Sequence, residues 1–304
     1  MDLGLRDRAY LVTGGSRGLG FAAAEALAEE GARVMLSAPH EATASAAAAR
    51  LASTVRTGTS GADPAEAVTA GAGPSGAGPS GAVAWATADN ADPATPARLI
   101  AAARERFGRL DGALISVGGS PAGTIATTTD EDWRSAFESI FLGGVRLARG
   151  LAEDLGARGE GSAGGEAARG DRAAVGSSIT GTTGSIVLVL AASVRTPLPG
   201  LAISNGMFPA LAGVVKMLAD ELGPAGIRIN GVLPVRIATD RVRALDALRG
   251  DPDEVRARLS EQIPLRRYGE PEEFGRAAAF LLSPAASYIT GAMIPVDGGA
   301  IRAI

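Results

Sequence analysis

Short apolar runs alternate along this chain with longer amphipathic stretches. The run in "RAYLVTGG" feeds a glycine turn, "FAAAEALAEEGA" is a helix pattern closed by Gly31, and "RVMLS" is a second buried-strand pattern. Together they predict a β-α-β unit. The alternation continues through "AVAWATAD", "PATPARLIAAARERFG", "LDGALISVGG", "DEDWRSAFESIFLGGVRLARGLAEDL", "GSIVLVLAAS", "LAGVVKMLADELGPAG" and "IRINGVLP". Strands alternating with helices of this length predict an α/β fold: a single doubly wound domain with a parallel sheet and helices on both faces.

Two stretches break the alternation. Residues 53–82 include "GAGPSGAGPS", and residues 156–184 run "GARGEGSAGGEAARGDRAAVGSSITGTTG". Neither carries enough apolar surface to offset the entropy of ordering it, so both are expected to be flexible surface insertions in one domain spanning 1–304. The helix after "PLPGLAISNGMFPA" is expected to start at or just before Pro209, with Ser204 and Asn205 as caps, because proline inside a helix clashes with the carbonyl four residues back.

Composition narrows the function. A chain of 304 residues with 46% hydrophobic content can bury a large core, and a net charge of −4 supplies no basic surface for nucleic acid. No apolar run approaches the roughly eighteen residues of a membrane span, and "MDLGLRDRAYLVTGG" lacks the layout of a secretory signal, so a cytoplasmic protein is expected. There is no cysteine and one histidine, His40, which removes thiolate and His-based metal sites; no metal is expected. Lys216 is the single lysine.

Between the first strand and first helix stands "TGGSRGLG", Thr13 to Gly20. Gly14 permits a tight turn, Gly18 lets the backbone approach a diphosphate, and Gly20 allows close helix-sheet packing, while the helix N-terminus faces the anion. Strand-turn-helix context is what such a motif needs to mean dinucleotide binding on a Rossmann-type fold. These residues resemble the TGxxxGxG fingerprint of the short-chain dehydrogenase/reductase family, and the resemblance runs almost end to end. "FGRLDGALISVGG" resembles the family's fourth strand, "GIRINGVLPVRIATDRV" the strand and loop after the fifth helix, and "RRYGEPEEFGRAAAFLLSPAASYITGAMIPVDGG" its C-terminal helix and last strand.

The resemblance implies a dinucleotide held by Gly14, Ser16, Arg17, Gly18, Leu19 and Gly20 at the phosphates. Ser37, Asp89, Asn90, Val117 and Gly118 would meet the adenosine side, and Thr239 the carboxamide. At the end of the second strand, Ser37-Ala38-Pro39-His40 offers no acid to a ribose diol, whereas Arg17 can pair with a 2′-phosphate; NADP is therefore favoured over NAD, with no cofactor as the third option. The family's oligomers, through its fourth and fifth helices, imply a homo-tetramer or homo-dimer, with a small molecule as the remaining partner.

The family's proton chemistry uses a Tyr-x-x-x-Lys pair, a Ser and an Asn. Aligned on that pattern, Ser204 stands at the Tyr position, Phe208 at the Lys, Ala191 at the Ser and Ile140 at the Asn. Without any alignment, the residues four beyond Tyr10, Tyr268 and Tyr288 are Gly14, Glu272 and Ala292, so no Tyr-x-x-x-Lys exists in the chain. The catalytic candidates left are Ser193, Ser204 and Asn205, with Arg195 at the expected substrate entrance. This atypical pattern resembles the branch of the family labelled 3-oxoacyl-carrier-protein reductase-like. Three readings follow: an oxidoreductase with an unusual proton route, a catalytically silent cofactor-binding or partner subunit, and a non-redox lyase or cyclase on the same fold.

Overall fold

In the computed structural model, which describes residues 2–58, 75–76, 81–162 and 183–303, the apolar runs become the strands of one sheet, and the central ones are buried along nearly their whole length. They are β1 (Ala9–Val12), β2 (Arg33–Ala38), β3 (Ser75–Gly76), β4 (Val83–Thr87), β5 (Gly112–Ile115), β6 (Gly184–Val189), β7 (Ile227–Pro234) and β8 (Met293–Val296). The sheet order is β3-β4-β2-β1-β5-β6-β7-β8. Every pairing is parallel except that of the two-residue β3 with β4. The α/β fold expected from the alternation is therefore the fold observed.

Near-continuous apolar strands need cover on both sides, and the helices supply it. One face packs under α1 (Gly18–Glu29), α2 (Glu41–Gly58) and α9 (Pro271–Leu282), through Leu27, Leu51, Phe274 and Leu281. The other packs under α3 (Thr95–Phe107), α5 (Gly143–Ser162) and α6 (Ala202–Leu222), through Leu99, Leu151, Leu211 and Val215. Neighbouring residues of β1 divide between the layers: Leu11 joins the second, Tyr10 and Val12 the first. Two shorter helices, α7 (Asp240–Ala247) and α8 (Pro252–Ser260), follow β7, and α4 (Asp130–Ala136) leads through a π-helical segment, Phe137–Leu142, into α5.

Three sequence expectations are corrected. Helix α2 runs to Gly58 and α5 to Ser162, so residues 53–58 and 156–162 extend helices. Ser75–Gly76 pair with Trp85 and Ala86 at the sheet edge, and Gly184 opens β6; the remainder of both stretches lies outside the described residues. Helix α6 begins at Ala202 and contains Pro209. Its start is fixed from outside: Leu201 bridges Gly123, and the Asn205 side chain accepts from Leu198 N at 2.8 Å while donating to Leu198 O at 3.0 Å. Burial of Ile203, Met207, Phe208 and Leu211 then carries the helix through the proline, a case of tertiary packing overriding propensity.

Among the described residues, α6 alone is long and apolar enough to cross a membrane by length and composition. Its apolar side lies in the core of the second layer.

Candidate functional site

Strand order reverses at β1, with β2 on one side and β5 on the other. Doubly wound sheets bind ligands at such a switch point, beyond the carboxyl ends of the strands. There Thr13, fully buried, donates to Ser116 O at 3.1 Å and accepts from Ser116 N at 2.9 Å, tying the exits of β1 and β5 together.

The glycine loop is a cradle that side chains would fill. Gly14 and Gly18 have φ of +60° and +55°. A Cβ on Gly14 would come 3.0 Å from Ser116 O, and one on Gly20 would collide with Gly14 O. Arg17 occupies the N-cap of α1 without a side-chain capping bond, so the first N–H groups of that helix have no such partner and face the loop. A diphosphate fits this arrangement, because the loop presents backbone donors with no Cβ in the way. Gly15 N donates to Ser37 O at 2.9 Å, which brings buried Ser37 against the same loop.

The structure brings most of the expected dinucleotide residues to this crevice. Thr239 lies opposite Gly18, its methyl 3.6 Å from where a Cβ would stand, while its hydroxyl caps α7 by accepting from Val242 N. Val117 and Gly118 form the exit of β5, Gly118 with φ of +82°. Asp89 is exposed at the exit of β4, and its carboxylate accepts from Ala91 N at 2.9 Å. Asn90 adjoins it, with its carbonyl packed against Gly143. His40 is exposed beyond β2.

The catalytic candidates separate. Ser193 and Ser204 are both buried, their hydroxyl oxygens 3.3 Å apart, and Ser193 also donates to Ser204 O at 3.1 Å. Ser204 lies inside α6 and is not a cap. Asn205 ties down the Leu198 loop, and Arg195 is exposed. Ile140 and Phe208 are buried in one apolar cluster, with Ala191 packed against it. Ile140 sits in the π-helical segment, a distortion frequent at functional sites. The tyrosines are engaged elsewhere or exposed: Tyr10 donates to Leu282 O, Tyr268 donates to Asp246 at 2.9 Å, and Tyr288 is fully exposed. Burial pushes both the Tyr10 and Tyr268 phenols above their usual range.

Sequence reading missed two features near the site. Arg241, at the start of α7, donates to the carbonyl of Ser120 beyond β5. Buried Asp246 accepts from both Arg236, at 2.6 Å, and Tyr268, which fastens α7 to the β7 exit. Both depend on contacts between distant segments, and no local motif announces them.

Comparison with known proteins agrees with the geometry. Residues 8–157 match the KR domain family, and residues 169–300 match the Enoyl-(Acyl carrier protein) reductase family. Protein FixR of Bradyrhizobium diazoefficiens is 34% identical over 176 residues; the match covers 58% of this chain and 52%, about half, of that relative. The L-rhamnose 1-dehydrogenase (NAD(P)(+)) of Azotobacter vinelandii is 30% identical over 299 residues, covering 97% of each chain. Among solved structures, L-sorbose reductase from Gluconobacter frateurii, complexed with NADPH and L-sorbose, superimposes with a TM-score of 0.79 at 26% identity, covering 100% of both chains. With one fold, one glycine cradle and a relative matched over nearly its full length, the chain belongs to the short-chain dehydrogenase/reductase family.

Proposed function

We propose that this protein is an NAD(P)-dependent oxidoreductase of a small carbonyl or alcohol compound, that NADPH is its preferred dinucleotide, and that its proton transfer bypasses a Tyr-Lys pair. The observation that carries the reading is the open glycine cradle, Gly14, Gly18 and Gly20 with Arg17 at the head of α1. The dehydrogenase and reductase relatives use NAD(P) and NADPH by their own descriptions, which supports the same class of cofactor here. The reading assigns the protein to the cytoplasm as a homo-oligomer.

Bound nicotinamide supplies or accepts hydride. The residues of this chain hold it and shape the space beside it. Ile140, Ala191 and Phe208, at the positions aligned with the family's Asn, Ser and Lys, offer no proton and no cation. A serine hydroxyl does not ionise near neutral pH, so Ser193 and Ser204 can orient a carbonyl oxygen by hydrogen bonding but cannot act as the acid. The proton then comes from water or from the substrate. Phe208, which cannot donate to the nicotinamide ribose, makes binding weaker than a lysine would.

A second reading, a cofactor-binding partner subunit without turnover, draws on the same buried Ile140 and Phe208. Titration of the wild-type protein with NADPH and NADH, followed by NADPH consumption on a panel of ketones, separates the two. Binding with turnover is the expected result; binding with no turnover on any ketone favours the second reading, and no binding overturns both. Arg17→Ala should weaken NADPH about tenfold and NADH much less, the loss of one charge-assisted contact to the 2′-phosphate. Equal losses for the two would remove Arg17 from that role.

A further inference from the structure

The α7 side of the crevice carries a cation that the glycine-loop motif does not include. Arg241 stands two residues past Thr239, which faces Gly18, and its guanidinium lies so close to the backbone of Gly119 that any Cβ there would run into it. It donates to the carbonyl of buried Ser120, 121 residues away in sequence. Arg241 thus spans from the first turn of α7 to the exit loop of β5.

The two guanidiniums are like charges within electrostatic reach of each other. Burial first, and the charge of Arg17 second, holds Arg241 below the usual arginine range. Among the described residues neither forms an ion pair with a carboxylate, whereas four of the eight other arginines from Arg236 to Arg276 do: Arg236 with Asp246, Arg243 with Asp253, Arg256 with Glu270 and Arg267 with Glu273. Two cations beside a helix N-terminus without a side-chain cap create a positive potential that an anion relieves. An arginine fork suits phosphate oxygens in particular.

We propose that Arg241 is a diphosphate-binding residue, closing on the dinucleotide from α7 while the glycine loop holds it from α1. The inference rests on the dinucleotide reading above and adds to it a second wall for the cofactor site. It also sets a division of labour: Arg17 reads the 2′-phosphate, whereas Arg241 reads the diphosphate common to NADPH and NADH. Exchanging the Ser120 carbonyl for a phosphate replaces a neutral acceptor with a charged one, so cofactor binding would draw α7 toward the crevice.

The test is calorimetric titration of wild type, Arg241→Gln and Arg241→Lys with NADPH, NADH, ADP-ribose and adenosine 2′,5′-bisphosphate, with melting temperatures recorded for each protein. Glutamine retains a donor for Ser120 and loses the charge; lysine retains the charge. Arg241→Gln should weaken NADPH, NADH and ADP-ribose alike by about tenfold or more, and leave adenosine 2′,5′-bisphosphate within about twofold. Arg241→Lys should recover most of the loss. Unchanged affinity for NADH and ADP-ribose in Arg241→Gln overturns the proposal, as does a loss confined to NADPH. A loss as large in Arg241→Lys, with a lowered melting temperature, assigns Arg241 to a structural tie and overturns it too. Failure of the wild-type protein to bind any of these ligands refutes the dinucleotide reading itself, and is distinct from an altered pattern among the variants.

Discussion

Ser204 shows how far one side chain can be read alone. Its neighbour Pro209 and its hydroxyl suggest a helix cap, but in the folded chain it is an interior helix residue sharing a buried contact with Ser193. That contact has two consequences. Ser204→Ala should cost about 1 kcal/mol of stability, the value of one buried hydrogen bond, and should lower any turnover less than tenfold, because Ser193 keeps its bond to Ser204 O. Ser204→Tyr should not create ketoreductase activity. A phenol set beside Ile203, Met207 and Phe208 keeps a pKa at or above about 10, since desolvation disfavours the phenolate and Phe208 provides no cation four residues on. Steady-state NADPH consumption on one accepted ketone, with folding checked by circular dichroism, measures both. A hundredfold loss in Ser204→Ala would show that this hydroxyl carries chemistry.

At the scale of elements, what was legible in the sequence is what depends on local pattern. Apolar runs such as "YLVT" and "IVLVL" are strands because a parallel sheet buries both their faces, and the turn at Gly14 is readable because only glycine tolerates its φ and its contact with Ser116. The start of α6 was not legible, because it is set by Gly123 and Leu198, remote in sequence from Asn205 or on a different turn of chain. The same holds for Arg241, whose partner Ser120 is brought to it by the fold. Helix α9 illustrates a local device that also sets acid stability. Glu273 accepts from Glu270 N at 2.8 Å and from both terminal nitrogens of Arg267, at 2.6 and 2.7 Å. Arg267 above all, then the Glu270 backbone, holds the Glu273 carboxyl at about 2, below its ordinary 4.5. A carboxyl depressed on folding contributes stability that is present above the unfolded pKa and lost as pH falls toward the folded one. The contribution should therefore fade between pH 4.5 and 2. Glu273→Gln should flatten that part of the denaturation profile, and an unaltered slope of melting temperature against pH would show that the pair does not act in this way. Its size is small, because both partners are partly exposed and screened.

For the whole molecule, the homo-oligomer proposed above needs a surface on which copies could join. The sheet edges are poor candidates. At one end β8 carries Pro295, which cannot donate to an added strand, and at the other β4 is covered by the antiparallel pair Ser75–Gly76. Among the described residues, two large apolar side chains are instead exposed on helices. Phe137, 42% exposed and stacked on Phe141 with ring centroids 5.3 Å apart, opens the π-helical segment that packs beside α6, and Met217, 62% exposed, lies on α6 itself. A two-fold dimer requires a self-complementary apolar patch, and exposed residues of this kind would supply one. The helices involved are those through which the family's oligomers are expected to pair. The wild-type protein should therefore run as a dimer or tetramer by light scattering at micromolar concentration. Phe137→Glu combined with Met217→Glu should shift it toward monomer without unfolding it, because both side chains already face solvent within one chain and introduce a like-charge pair only across the two-fold axis. A monomeric wild type, or a double variant that keeps the oligomer intact, would place the joining surface elsewhere.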